Sequence, residues 1–345
     1  MSLPDIHQQL PALQQWLHQS LPEIGAIQDI KRFSGGYSNI TFRISNEQQS
    51  YVLRMPPPGS EVKTAHDMNR EFRVLSALKP HYASIPTPLA FCDNPTILGT
   101  PFYIMEYLEG MILRPNSSQL KDLSEKHFTT LSTELIKNLA SLHTIDLQTS
   151  GLIQLGKPEG YVNRQVSGWI NRYYQSETDQ LATINQVADW LQQQTPREQA
   201  PAMLHNDYKY DNVIFSRQQM GKIVGVLDWE MATVGDPLMD LGAALAYWFE
   251  AGDPEPFRDY NITWLPGNLS RLACAQLYAA NTGRVISDLL FYYVFGLFKN
   301  AVIVQQIYCR WKKGLHNDDR FGGLIHLIKL LGKHAVRTLE KNSIS

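Results

Sequence analysis

The sequence has few cysteines and no strong excess of charge of either sign. Its three cysteines, Cys92, Cys274 and Cys309, form no CxxC pair, so the sequence indicates neither a disulfide framework nor a zinc site and favours a reducing compartment. Lys and Arg total 31 against 33 Asp and Glu, which gives a formal net charge of −2. Nucleic-acid-binding proteins usually carry a basic excess or a basic stripe, so this balance argues against that class.

Long hydrophobic runs and a targeting segment are lacking as well. The N-terminus has no basic segment followed by an apolar run, which argues against a signal peptide. The most apolar stretch covers 289–298 and ends at Lys299, which is shorter than the ~20 residues needed to cross a bilayer. We interpret this stretch as a buried helix and expect a cytoplasmic protein without a membrane or nucleic-acid partner.

Internal repeats and low-complexity tracts are also missing, so 345 residues can form one large or two medium domains. The pattern changes near residue 110. Before this point, short apolar segments alternate with turn residues, which predicts a sheet of antiparallel strands. The predicted elements are a helix around 10–17, strands at 27–33, 40–44, 51–54, 89–92 and 101–108, and a helix at 65–78.

After residue 110 helical periods dominate, and Ser124 is a good N-cap for the first long helix. Short strand-like pieces at 213–215 and 223–227 flank a predicted hairpin. The other predicted helices cover 162–174, 185–194, 238–249, 268–281, 286–311 and 319–340. A small sheet-rich lobe, residues 1–106, followed by a larger and mainly helical lobe, residues 107–345, predicts an α+β fold.

The residues that point to chemistry lie between positions 205 and 229. Asp207 is followed five residues later by the amide Asn212, and Asp228 comes at the end of the next predicted strand. Phosphoryl transfer needs one carboxylate to orient and deprotonate a hydroxyl, and an amide oxygen and a second carboxylate to hold Mg²⁺. We prefer this interpretation to three unrelated polar residues because of their spacing and strand context.

Further motifs occur in a fixed order along the chain. They read FSGGYSN at 33–39, YVLR at 51–54, REFRVL at 70–75, GTPFYIME at 99–106, LH at 142–143, HNDYKYDN at 205–212, LDWE at 227–230 and GDP at 235–237. Together they resemble the aminoglycoside phosphotransferase and choline kinase superfamily, and especially its branch fused to acyl-CoA dehydrogenases. The resemblance covers nearly the whole chain. It implies a bilobal, protein-kinase-like fold and a kinase that transfers the γ-phosphate of ATP to a hydroxyl of a small molecule.

The resemblance also implies a role for particular residues. Asp207 is the catalytic base, and Asn212 and Asp228 bind Mg²⁺. Arg54, fixed by Glu71, steadies the α- and β-phosphates of ATP. The loop that covers the nucleotide and the hinge that meets adenine consist of Ser34, Gly35, Gly36, Tyr37, Ser38 and Asn39, and of Glu106, Tyr107 and Leu108. A Gly pair between strands is by itself more often only a hairpin turn.

Two positions depart from the wider family pattern. Arg54 replaces the usual Lys, and although it keeps the charge, its planar fork is not interchangeable with an ammonium. Asn206 replaces Gly, and Asn tolerates a positive φ better than most residues. Arg54 is the main feature that favours the alternative function, a pseudokinase-like nucleotide-binding module that regulates a partner without turnover. The presence of the base and both metal ligands favours the enzyme.

Several polar residues near the motifs are interpreted as structural. His143 and His205 are expected to form hydrogen bonds that support the catalytic loop rather than to act in catalysis. Gly-Asp-Pro after a strand is more often a turn, so Asp236 is expected to be an N-cap. Asp240 is expected to stabilise the catalytic loop, and Asp211 to be a loop or surface residue.

The sequence does not name the acceptor, the choice between ATP and GTP, or the oligomeric state. We expect a hydroxylated, uncharged or anionic metabolite rather than a polycation, because the helical lobe combines aromatic residues with arginines, which favour carboxylate or phosphate. These residues are Trp169, Tyr173, Tyr174, Tyr247, Trp248, Phe249, Phe291, Tyr292 and Tyr293, with Arg164, Arg172 and Arg284. Many of the aromatics can instead be core residues. A cationic ligand also stays open, because acidic residues occur nearby at Glu177, Asp179, Glu250, Asp253 and Glu255.

Overall fold

The structure is a computed structural model that describes residues 6–33, 39–57, 67–194, 196–315 and 318–345. Five residues of the predicted nucleotide-covering loop, 34–38, and the predicted start of the second helix at 65 lie outside these ranges. The chain divides into two compact units. The first unit contains Met1–Gly110 and Val224–Ala232, and the second contains Met111–Ile223 and Thr233–Ser345.

The first unit is built on a five-stranded antiparallel sheet with the strand order β1-β2-β3-β5-β4. The five strands and the antiparallel pairing predicted from the sequence are confirmed. The strands are β1 (Asp29–Arg32), β2 (Ile40–Ser45), β3 (Ser50–Met55), β4 (Pro88–Cys92) and β5 (Phe102–Glu106). The helices are α1 (Ile6–Ser20), α2 (Met68–Leu78) and the short α3 (Pro95–Leu98).

Alternation along β5 places different residues on the two faces of this sheet. Phe102 and Ile104 are buried in one core with residues of α1, and the ring of Trp16 meets Phe102 edge-on at 4.9 Å. Tyr103 lies on the other face, where Phe72 of α2 packs against it at a ring distance of 6.1 Å. Arg54 pairs in register with Tyr103, so the pleat directs Arg54 toward α2.

The second unit is mainly helical. Its helices are α4 (Glu125–His143), α5 (Tyr161–Ser176), α6 (Ala182–Gln193), α7 (Pro237–Ala246), α8 (Arg271–Thr282), α9 (Leu289–Lys312) and α10 (Leu324–Lys341). Strands β6 (Ala202–Leu204) and β9 (Thr233–Gly235) pair antiparallel, β7 covers Val213–Phe215, and β8 (Ile223–Val226) falls where the chain passes to the first unit. The predicted helices are confirmed with shifts of a few residues at their ends.

Helix α9 forms the centre of the second unit. Among the described residues it is the one helix long and apolar enough to cross a membrane, and 72% of its apolar window is buried, as in a core helix. It approaches α7 backbone to backbone, because a Cβ on Gly296 would lie 2.5 Å from the carbonyl oxygen of Gly242. The helix continues past Lys299, where the apolar stretch of the sequence ends, and Lys299 itself is only 3% exposed.

Candidate functional site

The loop 205–212 follows β6 in the second unit, and the buried carboxylate of Asp240 holds its backbone. The amides of His205 and Asn206 donate to Asp240 at 2.6 and 2.8 Å. Burial would raise the pKa of Asp240, but bonds from His143 and His205 outweigh it and hold that pKa below its usual value. The prediction that Asp240 stabilises this loop is confirmed.

Both histidines near the loop have structural roles, as predicted. His143 lies between two partners, with Nε2 3.1 Å from Asp240 Oδ2 and Nδ1 2.7 Å from the hydroxyl of Tyr278. His205 accepts a hydrogen bond from the amide of Asp207 through Nδ1 at 3.1 Å. These contacts fix the backbone on both sides of Asn206. Asp236 is the N-cap of α7, as predicted, and accepts a bond from the Leu238 amide.

Asn206 adopts the left-handed conformation that its residue type tolerates, with φ 67°. Its backbone carbonyl oxygen accepts a hydrogen bond from the ammonium of Lys299 on α9. Its side-chain Nδ2 donates to the hydroxyl of Tyr161 at 3.2 Å. Burial, the largest influence, lowers the pKa of Lys299 to about 8, although Asp207 and Asp240 act in the opposite direction. Sequence reasoning gave Lys299 no role in the site.

The carboxylate of Asp207 is surrounded by donors. Its Oδ2 accepts a hydrogen bond from Asn212 Nδ2 at 2.8 Å and lies 3.1 Å from Lys209 Nζ, and the Lys209 ammonium in turn lies over the ring of Tyr247. Burial would raise the pKa of Asp207, but Lys209, Lys299 and His205 outweigh it, so the pKa lies below its usual value. Asp207 is therefore an oriented anion at neutral pH.

Lys209 was not assigned a role from the sequence, and Tyr247 was considered only among the aromatic residues for an acceptor. The ammonium of Lys209 lies 4.6 Å from the ring centroid of Tyr247, a cation–π distance. Lys209 belongs to the catalytic-loop motif, so its position two residues after Asp207 was the available signal.

Asp211 was expected to be a loop or surface residue, but it lies half-buried in the 3₁₀ turn Tyr210–Asn212, and burial raises its pKa.

In the first unit, the predicted ion pair between Arg54 and Glu71 is present. Arg54 Nε lies 3.0 Å from Glu71 Oε2, while Nη2 lies 2.5 Å from Asp228 Oδ1 and 3.6 Å from Glu230 Oε2. Burial would lower the pKa of Arg54, but Glu71 and Asp228 raise it further, so the guanidinium stays charged. Arg54 is thus a single cation among three carboxylates.

Asp228 ends β8 in a left-handed conformation, with φ 69° and ψ 63°, and the 3₁₀ turn Trp229–Met231 follows it. Glu71 Oε1 accepts a hydrogen bond from the Trp229 amide at 3.2 Å. Asn39, the last residue of the predicted nucleotide-covering loop, donates to Glu230 Oε2 at 2.8 Å. The first unit therefore brings together Asn39, Arg54, Glu71 and Asp228.

The predicted hinge begins at the end of β5. The side chain of Glu106 accepts two bonds from Thr87, one from its amide at 3.0 Å and one from its hydroxyl at 2.7 Å. The ring of Tyr107 stacks on Phe33 at 6.4 Å, and Leu108 is half-buried in extended chain. The contact of this segment with adenine stays a prediction.

The residues considered for an acceptor are mostly committed to packing. Seven of the nine aromatics are buried, which supports their interpretation as core; Tyr174 is 48% exposed and Tyr247 is half-buried beneath the ammonium of Lys209. The three arginines also have partners: Arg164 and Arg284 donate to backbone carbonyls, and Arg172 stacks over Trp169 at 4.8 Å. Within the described ranges, no group of three or more His, Cys, Asp or Glu side chains is placed to hold a metal ion.

Known proteins resemble this chain in sequence over most of its length. Acyl-CoA dehydrogenase family member 10 of Mus musculus is 34% identical over 286 residues, covering 82% of this chain and 26% of that protein. Family member 11 of Rattus norvegicus is 32% identical over 325 residues, covering 92% of this chain and 41% of that protein. The chain therefore spans well under half the length of these curated relatives.

Solved structures share the fold. A protein of Ralstonia eutropha JMP134, described as an aminoglycoside phosphotransferase, is 30% identical with a TM-score of 0.78, and the match covers 95% of this chain and 98% of that one. Choline kinase of Cryptosporidium parvum, 15% identical, has a TM-score of 0.68 with 97% of each chain covered. These likenesses confirm the predicted α+β, protein-kinase-like fold.

The family itself follows from a match along the chain. The model of the phosphotransferase enzyme family matches residues 29–274, which include the sheet of the first unit and the loop that carries Asp207. This chain belongs to the phosphotransferase enzyme family, and within it resembles the kinase-like branch found in acyl-CoA dehydrogenase family members 10 and 11.

Proposed function

We propose that this protein is a small-molecule kinase that transfers the γ-phosphate of ATP, with Mg²⁺, to an alcohol hydroxyl of a metabolite. The observation that carries the proposal is the carboxylate of Asp207, which contacts Asn212 and Lys209 and whose pKa lies below its usual value. Family membership supplies the reaction class. Phosphoryl transfer depends mainly on positioning and charge, which this arrangement of residues can supply.

Asp207 would accept the proton of the attacking hydroxyl. Its lowered pKa makes it a weak base, but it keeps the carboxylate charged and able to accept a hydrogen bond from the substrate. Because Asn212 and Lys209 both contact Oδ2, the direction of the carboxylate is fixed before any substrate binds. The expected contribution is orientation of the hydroxyl first and proton acceptance second.

The donor set fits a magnesium ion in its chemistry. Mg²⁺ prefers a few hard oxygen ligands, and the two proposed residues supply a carboxylate, Asp228, and an amide oxygen of Asn212. The bonds of Asn212 to Asp207 use its Nδ2 nitrogen, so they leave Oδ1 to act as a ligand. When bound, the ion would neutralise charge on the nucleotide phosphates.

The remaining nucleotide contacts are proposed from the family pattern. Arg54, fixed by Glu71, would steady the α- and β-phosphates. The segment 34–39 would cover the phosphates, and the backbone of 106–108 would meet the base. Solved proteins of this fold include one complex with AMP-PNP and hygromycin B and another with GDP and kanamycin, so both ATP and GTP belong in the test.

For the acceptor we propose a hydroxylated, uncharged or anionic compound. Three of the five acidic side chains considered for a cationic ligand are paired with cations: Glu250 and Asp253 contact Arg271, and Asp179 contacts Lys312. The names of the relatives, acyl-CoA dehydrogenase family members, make hydroxy-acyl compounds the first class to test.

The second candidate function, a nucleotide-binding module without turnover, is favoured by one observation. Arg54 stands in place of Lys and engages Asp228 directly, so a nucleotide has to compete for both groups. The ordered contacts of Asp207 and Asn212 favour the enzyme, because a module that only binds nucleotide has no need for an oriented base.

The test compares the wild-type chain with Asp207→Asn under ATP or GTP and Mg²⁺. The acceptors are hydroxy acids, their CoA esters, choline, homoserine and kanamycin, with nucleotide consumption and the mass of the product as readouts. A phosphorylated product with the wild type and not with the variant supports the kinase. Nucleotide binding in a thermal-shift assay without product from any acceptor favours the binding module, and efficient phosphorylation of kanamycin alone overturns the proposed acceptor class.

A further inference from the structure

The turn after Asp228 is held by two adjacent residues of helix α2. Arg70 donates to the carbonyl oxygen of Glu230 through Nη1 at 2.8 Å and to the carbonyl oxygen of Ala232 through Nη2. Glu71, the next residue, accepts a hydrogen bond from the Trp229 amide. Side chains from one turn of α2 therefore bind backbone groups on three residues that follow Asp228.

This backbone needs external support because of its conformation. Asp228 has a positive φ, which is costly for a residue with a Cβ, and it persists where the surroundings fix it. The 3₁₀ turn Trp229–Met231 that follows is only one turn long. A guanidinium suits this position because its planar fork can bind two acceptors at once, whereas an ammonium offers a point charge.

We propose that Arg70 is a positioning residue that holds the turn after Asp228 and thereby aims the Asp228 carboxylate for the magnesium nucleotide. The inference rests on the proposed function, in which Asp228 is a metal ligand. Arg70 acts through the backbone of Glu230 and Ala232. These contacts join α2 to the segment 224–232 of the first unit, which contains Asp228.

Glu230 shows how the same turn is linked to other groups of the first unit. Its carbonyl oxygen accepts from Arg70, while its carboxylate accepts from Asn39 and lies 3.6 Å from Arg54. A change at Arg70 that lets the turn move would also move this carboxylate. A substitution of Arg70 should therefore change the affinity for nucleotide, although the described contacts of the Arg70 side chain are with backbone carbonyl groups.

The test uses the full chain with Arg70→Gln and Arg70→Lys, and with Arg73→Gln as a matched control. Arg73 lies three residues later on the same helix and is exposed. The first readout is amide hydrogen exchange without nucleotide, residue by residue in 226–232 and in strand β3. The second is the dissociation constant of Mg·ATP as a function of Mg²⁺ concentration, alongside the KM for the acceptor.

We expect Arg70→Gln to speed exchange in 226–232 by roughly tenfold while β3 keeps its protection, because only the local turn is released. The dissociation constant of Mg·ATP should rise by about tenfold with the acceptor KM unchanged, with Arg70→Lys intermediate and Arg73→Gln equal to wild type. Lost protection throughout β3 would indicate a purely structural role and overturn the proposal.

The two proposals fail in different ways. If the wild type binds no Mg·ATP, the proposed function and this inference both fall. If the wild type binds Mg·ATP and Arg70→Gln binds it equally well, only the role of Arg70 is wrong. Faster exchange in 226–232 with an unchanged dissociation constant of Mg·ATP would also show that only the role of Arg70 is wrong, because the turn would then move without affecting nucleotide binding.

Discussion

The two units of this protein differ in the charged partners that surround their central ionised side chain. In the first unit one cation, Arg54, lies among three carboxylates, those of Glu71, Asp228 and Glu230. In the second unit one carboxylate, Asp207, is stabilised by two ammonium groups, Lys209 and Lys299. Around Arg54 the carboxylates outnumber the cation, whereas the Asp207 carboxylate has two ammonium neighbours, on which Asp211 and Asp240 also act.

Under the proposed function, this difference predicts a separate role for each unit. A surplus of carboxylates suits a divalent cation with its nucleotide, because the added positive charge relieves repulsion among the carboxylates. A carboxylate surrounded by ammonium groups stays ionised and can accept a hydrogen bond from a neutral hydroxyl. If this comparison is right, substitutions in the first unit should act mainly on nucleotide and metal, and those in the second unit on turnover.

The largest effect is expected from Asp207→Asn. The amide keeps the shape of the side chain but cannot accept the proton, so kcat should fall by at least ~100-fold, within the usual range for a general base. Lys209 and Lys299 lose their counter-charge, so a small loss of stability is also expected. Single-turnover kinetics and chemical denaturation measure the two effects.

Asp211→Asn is the matched control for this change, because Asp211 is a half-buried carboxylate of the same loop. It should lower kcat only slightly. If Asp207→Asn retains more than about a tenth of wild-type kcat, Asp207 is not the base and the contrast between the two units loses its functional meaning.

The second prediction compares the two residues proposed as metal ligands. Asp228→Ala removes a full negative charge, so Mg·ATP binding or turnover should fall by about 100-fold, more than for Asn212→Ala. Asn212→Ala also removes two bonds to Asp207, so its loss should appear in kcat as well as in the Mg²⁺ requirement. The measurement is activity against Mg²⁺ concentration at saturating ATP. If Asn212→Ala loses more activity than Asp228→Ala, the assignment of Asp228 as the charged metal ligand is wrong.

Much of the first unit could be predicted because its signals are local. Period-two patterns located the five strands, and the ion pair of Arg54 with Glu71 was implied by the family resemblance. The turn Trp229–Met231 was not predicted, since three residues are too few to show a period. The attachment of 224–232 to the first unit depends on distant contacts such as those of Arg70 and Glu71.

In the second unit, sequence reasoning located the loop and its support by Asp240, but missed the contributions of Lys299 and Tyr247. Asp207 and Asn212 are recognisable by their spacing, and the αL conformation of Asn206 was foreseen from its residue type. Tyr247 and Lys299 reach the loop only through the packing of α7 and α9. Lys299 is visible in the sequence as a lone cation within an apolar helix, a pattern that indicates a buried partner.

The third prediction concerns the cation of the first unit. Arg54→Lys keeps the charge but cannot bind Glu71 and Asp228 with one planar fork. We expect the KM for ATP to rise by about threefold to tenfold with kcat largely kept, since the substitution restores the residue that the family usually carries. Arg32→Lys, an exposed change on β1, is the control, and an unchanged KM would mean that Arg54 does not contact the nucleotide.

The last prediction concerns Lys299→Met, which separates activity from stability. The ammonium of Lys299 is 3% exposed and donates to the carbonyl of Asn206, next to Asp207. Its pKa of about 8, against an ordinary value of 10.5, means that the unfolded chain binds a proton more readily between these pH values. The free energy of unfolding should therefore rise with pH across that window, and at pH 7 the buried charge costs about 3 kcal/mol by linkage.

Met removes that cost but leaves the Asn206 carbonyl without its donor, at about 1–3 kcal/mol, so stability at pH 7 should stay level or increase slightly. The rise in stability between pH 8 and 10.5 should flatten, while kcat falls by roughly threefold to tenfold because Asp207 loses one of its two ammonium neighbours. Denaturant unfolding at pH 7 and pH 9.5, with kcat at pH 7, measures both; unchanged kcat together with an unchanged pH dependence of unfolding would show that Lys299 does not stabilise the charge of Asp207.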